Sequence, residues 1–321
     1  MKYIVLVPDG MSDEPVDQLG GKTPLEVAET PHMDYVARHG LLAQALTIPE
    51  GLTPASDVAN LSILGYDPRQ YYSGRAPLEA AHLGVTLGPG EVAFRCNLVT
   101  VADEKMADYS GGHISSREAA VLIQELDRKI GSASSRFYPG VSYRHLTVLK
   151  GFDEEELLRC VCVPPHNILG QPIKPNLPQG RGAQALNDLM QRSRDVLTLH
   201  EVNKVRVDLG ENPANMIWLW GQGRKPTMPT FQEKFGLTGG VISAVDLIKG
   251  IGKIIGLDGI HVPGATGYYY TNYLGKAQAG QGFLAQGILC QHRRDQVAAV
   301  LGHLGEMLDC ISINFALQLG A

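Results

Sequence analysis

An acidic residue and a serine in the first sixty positions are the side chains best placed by their neighbours to do chemistry. Asp9 follows the apolar run 3–7 (YIVLV), and Ser56 opens the segment 56–65 (SDVANLSILG), which has a helical apolar period. A divalent ion bound by such an aspartate lowers the pKa of a coordinated hydroxyl and holds the attacking and departing oxygens in line. The pair therefore points to phosphoryl transfer through a phosphoserine.

Each of these residues also has a simpler interpretation. Asp9-Gly10 after a strand is a common turn, and a serine before an apolar helical period is an ordinary helix N-cap. Capping and catalysis are compatible, because the N–H groups and the dipole at a helix start favour an incoming phosphate. The spacing alone does not distinguish the two.

The composition narrows the class of protein. The chain has 321 residues, 44% of them hydrophobic and 19% charged, and a formal net charge of -5. These values are ordinary for a soluble globular protein long enough for two domains, and the charge argues mildly against nucleic acid as a partner. The five cysteines form no Cys-x-x-Cys pair, so neither a disulfide framework nor a zinc ribbon is expected. We find no leader-like start and no apolar run of about 18 residues, and expect a cytoplasmic protein with no membrane partner.

The order of predicted elements indicates an α/β fold interrupted by an insertion. We predict a strand at 3–7 in the centre of a parallel sheet. We also predict a helix with Thr30 as its N-cap, Pro31 at its first position and Gly40 just past its end. Further strands are predicted at 91–101 and 145–150, and further helices at 115–130 and 183–193. We expect residues 1–75 and 237–321 to form one α/β domain, and residues 76–236 to form an inserted α+β domain.

Eight segments, in order along the chain, resemble the archaeal type of cofactor-independent (2,3-bisphosphoglycerate-independent) phosphoglycerate mutases. They are 7–11 (VPDGM), 56–68 (SDVANLSILGYDP), 74–81 (GRAPLEAA), 108–115 (DYSGGHIS), 139–145 (PGVSYRH), 164–167 (PPHN), 217–223 (IWLWGQG) and 262–268 (VPGATGY). The resemblance implies an alkaline-phosphatase-like sheet core that is discontinuous in sequence. It also implies the glycolytic and gluconeogenic interconversion of 2- and 3-phosphoglycerate, with two divalent ions (Mn²⁺, Mg²⁺ or Zn²⁺).

The resemblance also assigns residues. Ser56 would be the phosphorylated nucleophile and a metal ligand, and Asp9 would be a metal ligand beside it. The phosphate and carboxylate of the substrate call for cationic donors. Arg144 is the first candidate, with His113 as a hydrogen-bond donor or acid/base, and Arg75 and Lys249 are further candidates.

Several of these positions keep structural explanations. The alternatives for Arg144 and His113 are a surface arginine and a satisfied histidine, and for Arg75 and Lys249 a structural role is the stronger alternative. Trp218 and Trp220 are expected to pack in the core at strand period.

The resemblance stops after Ala277. Family members carry an Asp-Glu-Ala-Gly-His block, an Asp-His pair and a last histidine that complete the metal sites, and we find no counterpart here. Tyr270 also stands where an aspartate is expected. Four polar tail residues lie on an amphipathic helical pattern and are expected to be solvated there: His292, Asp295, His303 and Glu306.

Our hypothesis is that a frameshift or truncation produced this tail. We therefore expect an incomplete metal site, weak metal binding and little or no mutase activity. Two rival functions remain: a phosphomonoesterase or other metal-dependent phosphotransferase of the same superfamily, and an inactive remnant that binds phosphoglycerate. The sequence does not indicate an oligomeric state.

Overall fold

The computed structural model of the protein describes residues 2–267, 270–286 and 315–318. These residues form two compact units, one from residues 1–70 and 228–321 and the other from residues 71–227. The domain boundaries predicted from the sequence, 75/76 and 236/237, lie five and nine residues further along the chain than these unit boundaries. The four polar tail residues between 292 and 306, which the sequence predicts to be solvated, lie outside the described residues.

The elements follow one another in a mixed α/β order, which confirms the predicted fold class. The strands are β1 (Lys2–Val5), β2 (Glu91–Ala102), β3 (Lys105–Asp108), β4 (Ser135–Val141), β5 (Arg144–Lys150), β6 (Met216–Gly223), β7 (Thr238–Val241), β8 (Asp258–Gly259) and β9 (Phe315–Gln318). The helices are α1 (Pro24–Val27), α2 (Pro31–His39), α3 (Ser56–Ile63), α4 (Pro68–Tyr71), α5 (Arg75–Leu83), α6 (Ser116–Ile130), α7 (Glu154–Leu158), α8 (Ala183–Leu197), α9 (Glu201–Asp208), α10 (Phe231–Phe235), α11 (Asp246–Ile254) and α12 (Tyr273–Gln286). None of the described helices is long and apolar enough to cross a membrane.

The first unit contains a sheet with the order β1-β9-β7-β8. Strand β9 runs antiparallel to both β1 and β7, and β7 runs parallel to β8. The prediction of a central, doubly buried first strand was wrong. Strand β1 ends at Val5, lies at one end of this described order, and has no fully buried residue. An apolar run shows that a strand forms but not which strands lie beside it, so its sequence alone could not place it.

Helix punctuation in this unit was easier to predict. Helix α2 starts at Pro31 and ends at His39, with Gly40 at the C-cap, as the sequence indicated. The Thr30 hydroxyl at the N-cap donates to the Asp34 carboxylate (3.0 Å) rather than capping the backbone. Helix α3 starts at Ser56, but the N-cap position is occupied by Ala55.

The second unit is built on a five-stranded antiparallel sheet with β2 at its centre. Strand β2 pairs with β5 along one edge and with β6 along the other, and β3 and β4 extend the sheet. All but the two end residues of β2 are buried. The predicted strands 91–101 and 145–150 and the predicted helices 115–130 and 183–193 correspond to β2, β5, α6 and α8 within a few residues.

Two apolar clusters pack against this sheet. The larger contains residues of α6 and α8 together with Phe94 and Leu98 on one face of β2. The smaller joins Ala76 and Ala80 of α5 to Ala93 of β2, so helix α5 lies on the opposite face. Trp218 and Trp220 are 0% and 6% exposed, which confirms that both pack in the core.

A glycine allows helix α5 to start directly against β6. Gly74 has φ +121° and ψ 165°, a region in which essentially only glycine is found. A Cβ built there would overlap the carbonyl of Gln222 in β6. The backbone contact fixes where Arg75, the next residue, leaves the chain.

We expect Gly74→Ala to destabilise the second unit by more than about 3 kcal/mol, because backbone strain of about 1–3 kcal/mol adds to the overlap with β6. Gly90→Ala is the matched control: Gly90 has φ +70°, and a Cβ there meets nothing within 4 Å. That variant should be destabilised only by the cost of a side chain in the left-handed conformation, about 1–2 kcal/mol. Urea unfolding measures both, and equal losses would contradict the close-approach argument.

A buried histidine in β5 gives the second unit a dependence on pH. His145 is 2% exposed, its Nδ1 accepts the Gly140 N–H (3.0 Å), and its Nε2 has no hydrogen-bond partner among the described residues. Burial lowers the pKa of His145 from 6.5 to about 3, with a further lowering from the charge of Arg144. The imidazole is therefore neutral in the folded protein at pH values where the unfolded chain binds a proton.

Because the folded pKa is depressed, the stability that His145 contributes is present above pH 6.5 and is lost as the pH falls towards 3. We expect the free energy of unfolding to drop by up to about 1.4 kcal/mol per pH unit from this residue below pH 6. The slope between pH 6 and 5 should be flatter in His145→Gln by about that amount. An unchanged slope in pH-dependent urea unfolding would show that another group is responsible.

Candidate functional site

Ser56 is available for chemistry at the start of α3. It is exposed, and within the described residues its hydroxyl makes no hydrogen bond, so it does not serve as a side-chain cap. Its carbonyl accepts a hydrogen bond from the Asn60 side-chain amide (2.7 Å) one turn later. The Oδ1 of Asn60 is buried without a partner, and Asp57 beside Ser56 is 1% exposed.

Asp9 lies in a turn beyond β1 rather than at the end of a strand. Its N–H donates to the Val7 carbonyl (2.9 Å), and the residue is exposed. Asp9 and Ser56 belong to the same unit, but no hydrogen bond joins them in the described part of the chain.

A two-metal centre needs several anionic or imidazole ligands, because the two cations repel each other. Among residues 2–267, 270–286 and 315–318, no group of three or more His, Cys, Asp or Glu side chains is placed to hold a metal ion. Asp9 and Ser56 supply only two ligating side chains. The described residues therefore do not fit the pair of divalent ions that the sequence resemblance implies.

Lys249 is engaged elsewhere. It lies on α11, and its ammonium is 3.8 Å from the carboxylate of Asp246, one turn earlier. This pair is partly exposed, which is the structural alternative considered for this residue.

The second unit brings two of the candidate arginines together. A basic cluster lies on the α5 face of the sheet, and its members are Arg75, Glu79, Arg95, Arg144, His166 and Trp220. It holds three guanidinium groups and one carboxylate, so positive charge is in excess.

Arg95 is the most deeply placed member of the basic cluster. Its side chain is 7% exposed, and its Nε donates to the Glu79 carboxylate (2.9 Å). Its guanidinium carbon lies 4.2 Å from the centre of the Trp220 ring, in cation–π range. Burial lowers the pKa of Arg95, the Glu79 carboxylate opposes this, and the charges of Arg75 and Arg144 lower it further.

Strand register explains the contact between Arg95 and Trp220. The two residues are directly opposite in the β2–β6 pair, so their side chains are cross-strand neighbours. The Trp220 indole N–H donates to the Asn97 side-chain oxygen (3.1 Å), two residues along β2. Glu79 reaches the same place from the second turn of α5, where its other oxygen accepts from Arg75 Nε (3.4 Å).

Arg75 and Arg144 present charge at the edge of the basic cluster. The side chain of Arg75 is 30% exposed, and its guanidinium carbon is 6.0 Å from the Trp220 ring centre. Arg144 is exposed at the first position of β5, 5.6 Å from the Tyr143 ring centre. Exposed guanidiniums beside buried charges are suited to binding a phosphate or a carboxylate.

His166 adds a neutral imidazole to this face. Its ring lies 5.4 Å from Trp220 and 6.2 Å from Tyr109. Partial desolvation, and after it the charges of Arg95 and Arg75, lower the pKa of His166. Two neighbouring cations therefore keep this imidazole able to accept a hydrogen bond at neutral pH.

His113 is not joined to the basic cluster by any described contact. It is exposed in the loop between β3 and α6, has φ +50°, and its N–H donates to the Ser110 hydroxyl (3.2 Å). The loop is held by Asp108, which accepts from the N–H groups of Ser110 (2.7 Å) and Gly112 (3.0 Å). His113 is thus presented to solvent by an ordered loop.

Sequence reasoning missed Arg95, Glu79 and His166 as site residues. One signal was available for Arg95, since it is a charge inside the otherwise apolar run 92–99 (VAFRCNLV). Nothing local paired it with Glu79, because that contact joins a helix and a strand across the sheet face.

Removing the carboxylate of the basic cluster should be costly. We expect Glu79→Gln to lower the free energy of unfolding by about 3 kcal/mol, because it leaves the Arg95 charge buried without its ion pair. Glu201→Gln, which breaks the exposed pair with Lys204, should have little effect. Comparable losses for the two variants in urea unfolding would contradict a buried role for Glu79.

The chain matches known proteins over most of its length. A family model described as 2,3-bisphosphoglycerate-independent phosphoglycerate mutase matches residues 37–203. A protein of that name from Methanosarcina barkeri is 56% identical over 282 residues, which cover 87% of this chain and 69% of the relative. A probable enzyme of that name from Geobacter sulfurreducens is 55% identical over 285 residues, 87% of this chain and 70% of the relative.

Two solved structures share the fold. The PH0037 protein from Pyrococcus horikoshii has a TM-score of 0.67 at 26% identity, with 95% of this chain and 77% of that chain covered. The cofactor-independent phosphoglycerate mutase from Thermoplasma acidophilum has a TM-score of 0.52 at 28% identity, with 94% and 81% covered. This chain belongs to the 2,3-bisphosphoglycerate-independent phosphoglycerate mutase family, of the archaeal type.

Proposed function

We propose that the protein binds phosphoglycerate and is built for the interconversion of its 2- and 3-phosphate isomers through a phosphoserine at Ser56. The observation that carries this proposal is identity above 50% with several proteins named for that activity. The exposed Ser56 hydroxyl and the basic cluster support it, since one offers a nucleophile and the other offers donors for anions.

The basic cluster suits the two anionic groups of phosphoglycerate. Arg75 and Arg144 present guanidiniums that match phosphate and carboxylate oxygens in pairs. The buried Arg95 lies beside them, and the two carboxylate oxygens of Glu79 accept hydrogen bonds from Arg75 and Arg95. In this role Arg75 and Arg144 contact the substrate, while Arg95 and Glu79 are positioning residues.

At Ser56 the reaction forms one oxygen–phosphorus bond and breaks another. The Ser56 hydroxyl gives up its proton as its oxygen attacks the phosphoryl group, the ester bond to one glycerate oxygen breaks, and that oxygen takes up a proton. The other glycerate hydroxyl then attacks the phosphoserine and regenerates the serine. The backbone N–H groups in the first turn of α3 favour the negative charge of the phosphoserine.

Turnover is expected to be low in this chain. The family reaction implied by the sequence resemblance needs divalent ions, and the donors among the described residues do not fit a two-metal centre. No step of the reaction at Ser56 is therefore assigned to a metal ion. Substrate binding is expected to persist where turnover is lost, because every contact within the basic cluster lies inside the second unit and involves no metal ligand.

The test separates turnover from binding. In a coupled mutase assay with Mn²⁺ or Mg²⁺, we expect wild-type turnover far below that of the Methanosarcina barkeri relative, and none in Ser56→Ala. Isothermal titration with Mn²⁺ should show weak binding. Full turnover would contradict the expected loss of metal binding, and release of inorganic phosphate from 3-phosphoglycerate would identify a phosphomonoesterase instead.

Binding is measured by titrating 3-phosphoglycerate in excess EDTA. We expect Arg75→Met to raise the dissociation constant at least about tenfold, which corresponds to a loss of about 1.4 kcal/mol in binding free energy. Ser56→Ala and the control Arg128→Met, at an exposed position on α6, should leave it unchanged. No measurable binding by the wild type, or equal effects of the two arginine variants, would overturn the assignment of the basic cluster.

A further inference from the structure

Lys276 is held in the first turn of α12 by a well-defined helix start. The side chain of Asn272 accepts a hydrogen bond from the Gly275 N–H (2.8 Å) and donates one to the Pro263 carbonyl (2.8 Å). The Asn272 N–H donates to the Gly264 carbonyl (3.0 Å). These bonds fix the start of α12 against the 263–264 turn.

The ammonium of Lys276 lacks an anionic partner. The residue is 2% exposed, and its side chain makes no ion pair or hydrogen bond in the part of the chain that the structure describes. Among the described residues its ammonium lies near the Tyr273 ring, 5.8 Å from Nζ to the ring centre. Four lysines in the described residues have a carboxylate nearby, for example Lys249 with Asp246 and Lys204 with Glu201.

Such a lysine is electrostatically unfavourable without a ligand. An unpaired buried ammonium has lost its hydration without gaining an opposite charge. The first turn of a helix adds positive potential, which raises the cost further. Burial lowers the pKa of Lys276, which is the expected response of an uncompensated cation.

The neighbours of Lys276 place it at the edge of the sheet where ligands usually bind. Ala277 packs with Ile242 and Val262, and Leu6 lies against the same cluster. Leu6 and Ile242 directly follow β1 and β7, which are parallel to each other because each is antiparallel to β9. The first turn of α12 therefore lies at the carboxyl ends of two parallel strands, the edge from which Asp9 also emerges.

We propose that Lys276 is an anion-binding residue that takes an oxygen of a phosphoryl group at this edge of the sheet. A lysine ammonium is a compact donor that suits phosphate as a point charge. Only the choice of a phosphoryl group rests on the proposed function. The need for an anion rests on the buried, unpartnered ammonium.

The first experiment compares Lys276→Met with the wild-type chain in urea, with and without inorganic phosphate at constant ionic strength. Without phosphate, the variant should unfold at a higher urea concentration than the wild type, because a buried charge is replaced by an apolar chain of similar length. Phosphate should raise the wild-type midpoint and leave that of the variant unmoved. Lys253→Met, at an exposed position on α11, is the control and should respond to phosphate as the wild type does.

Two outcomes would overturn the proposal: loss of stability in Lys276→Met without phosphate, or an equal phosphate response in variant and wild type. A second measurement uses the wild type alone. Acetylation of Lys276, followed by peptide mass spectrometry, should slow at least about fivefold in phosphate relative to chloride, whereas Lys253 should be unaffected. Equal rates at Lys276 would also overturn it.

The same labelling with 3-phosphoglycerate identifies the source of the phosphoryl group. Protection by the ester at lower concentration than by inorganic phosphate would assign a substrate group, and the reverse would assign free phosphate. Because neither measurement depends on turnover, failure of the mutase assay leaves this inference standing, and failure here leaves the role of Ser56 standing.

Discussion

The charge of Arg95 inside an apolar sheet is the constraint on which the architecture of the second unit depends. A guanidinium that is 7% exposed must be compensated where it lies, and strand pairing supplies the Trp220 face while α5 supplies the Glu79 carboxylate. Helix α5 is thereby tied to the sheet by charge as well as by its apolar residues. Arg75, on the same helix, is carried to the edge of the sheet with its orientation already determined.

The two units differ in how much of a functional site their described residues supply. In the second unit, the buried charge of Arg95 has a partner, while Arg75 is partly exposed and Arg144 is exposed. In the first unit, Ser56 and Asp9 are exposed, and no group of three or more possible metal ligands is present in the described ranges. Substrate recognition and phosphoryl chemistry therefore place separate demands on the chain.

Local patterns predicted helices α2, α6 and α8 and strands β2 and β5 well, because periodicity and capping residues lie within each element. They failed for β1, whose neighbours come from distant parts of the sequence. Ser56 and Asp9 were predicted from their motif, and Arg75 and Arg144 from the resemblance, and their roles stay predictions. Arg95 and Glu79 were missed because their pairing depends on how a helix crosses a sheet. The buried state of Lys276 likewise depends on packing that its sequence neighbours do not show.

The backbone contact at Gly74 has a consequence for how sequence variation in this protein should be interpreted. No side chain at this position can touch a ligand, yet almost any replacement would shift the root of Arg75 away from β6. In a saturation screen for growth or binding, Gly74 would therefore show the intolerance normally taken as the mark of a reacting group. Tolerance data alone would misassign Gly74 as a functional residue. Its backbone angles show instead that the intolerance comes from a structural constraint.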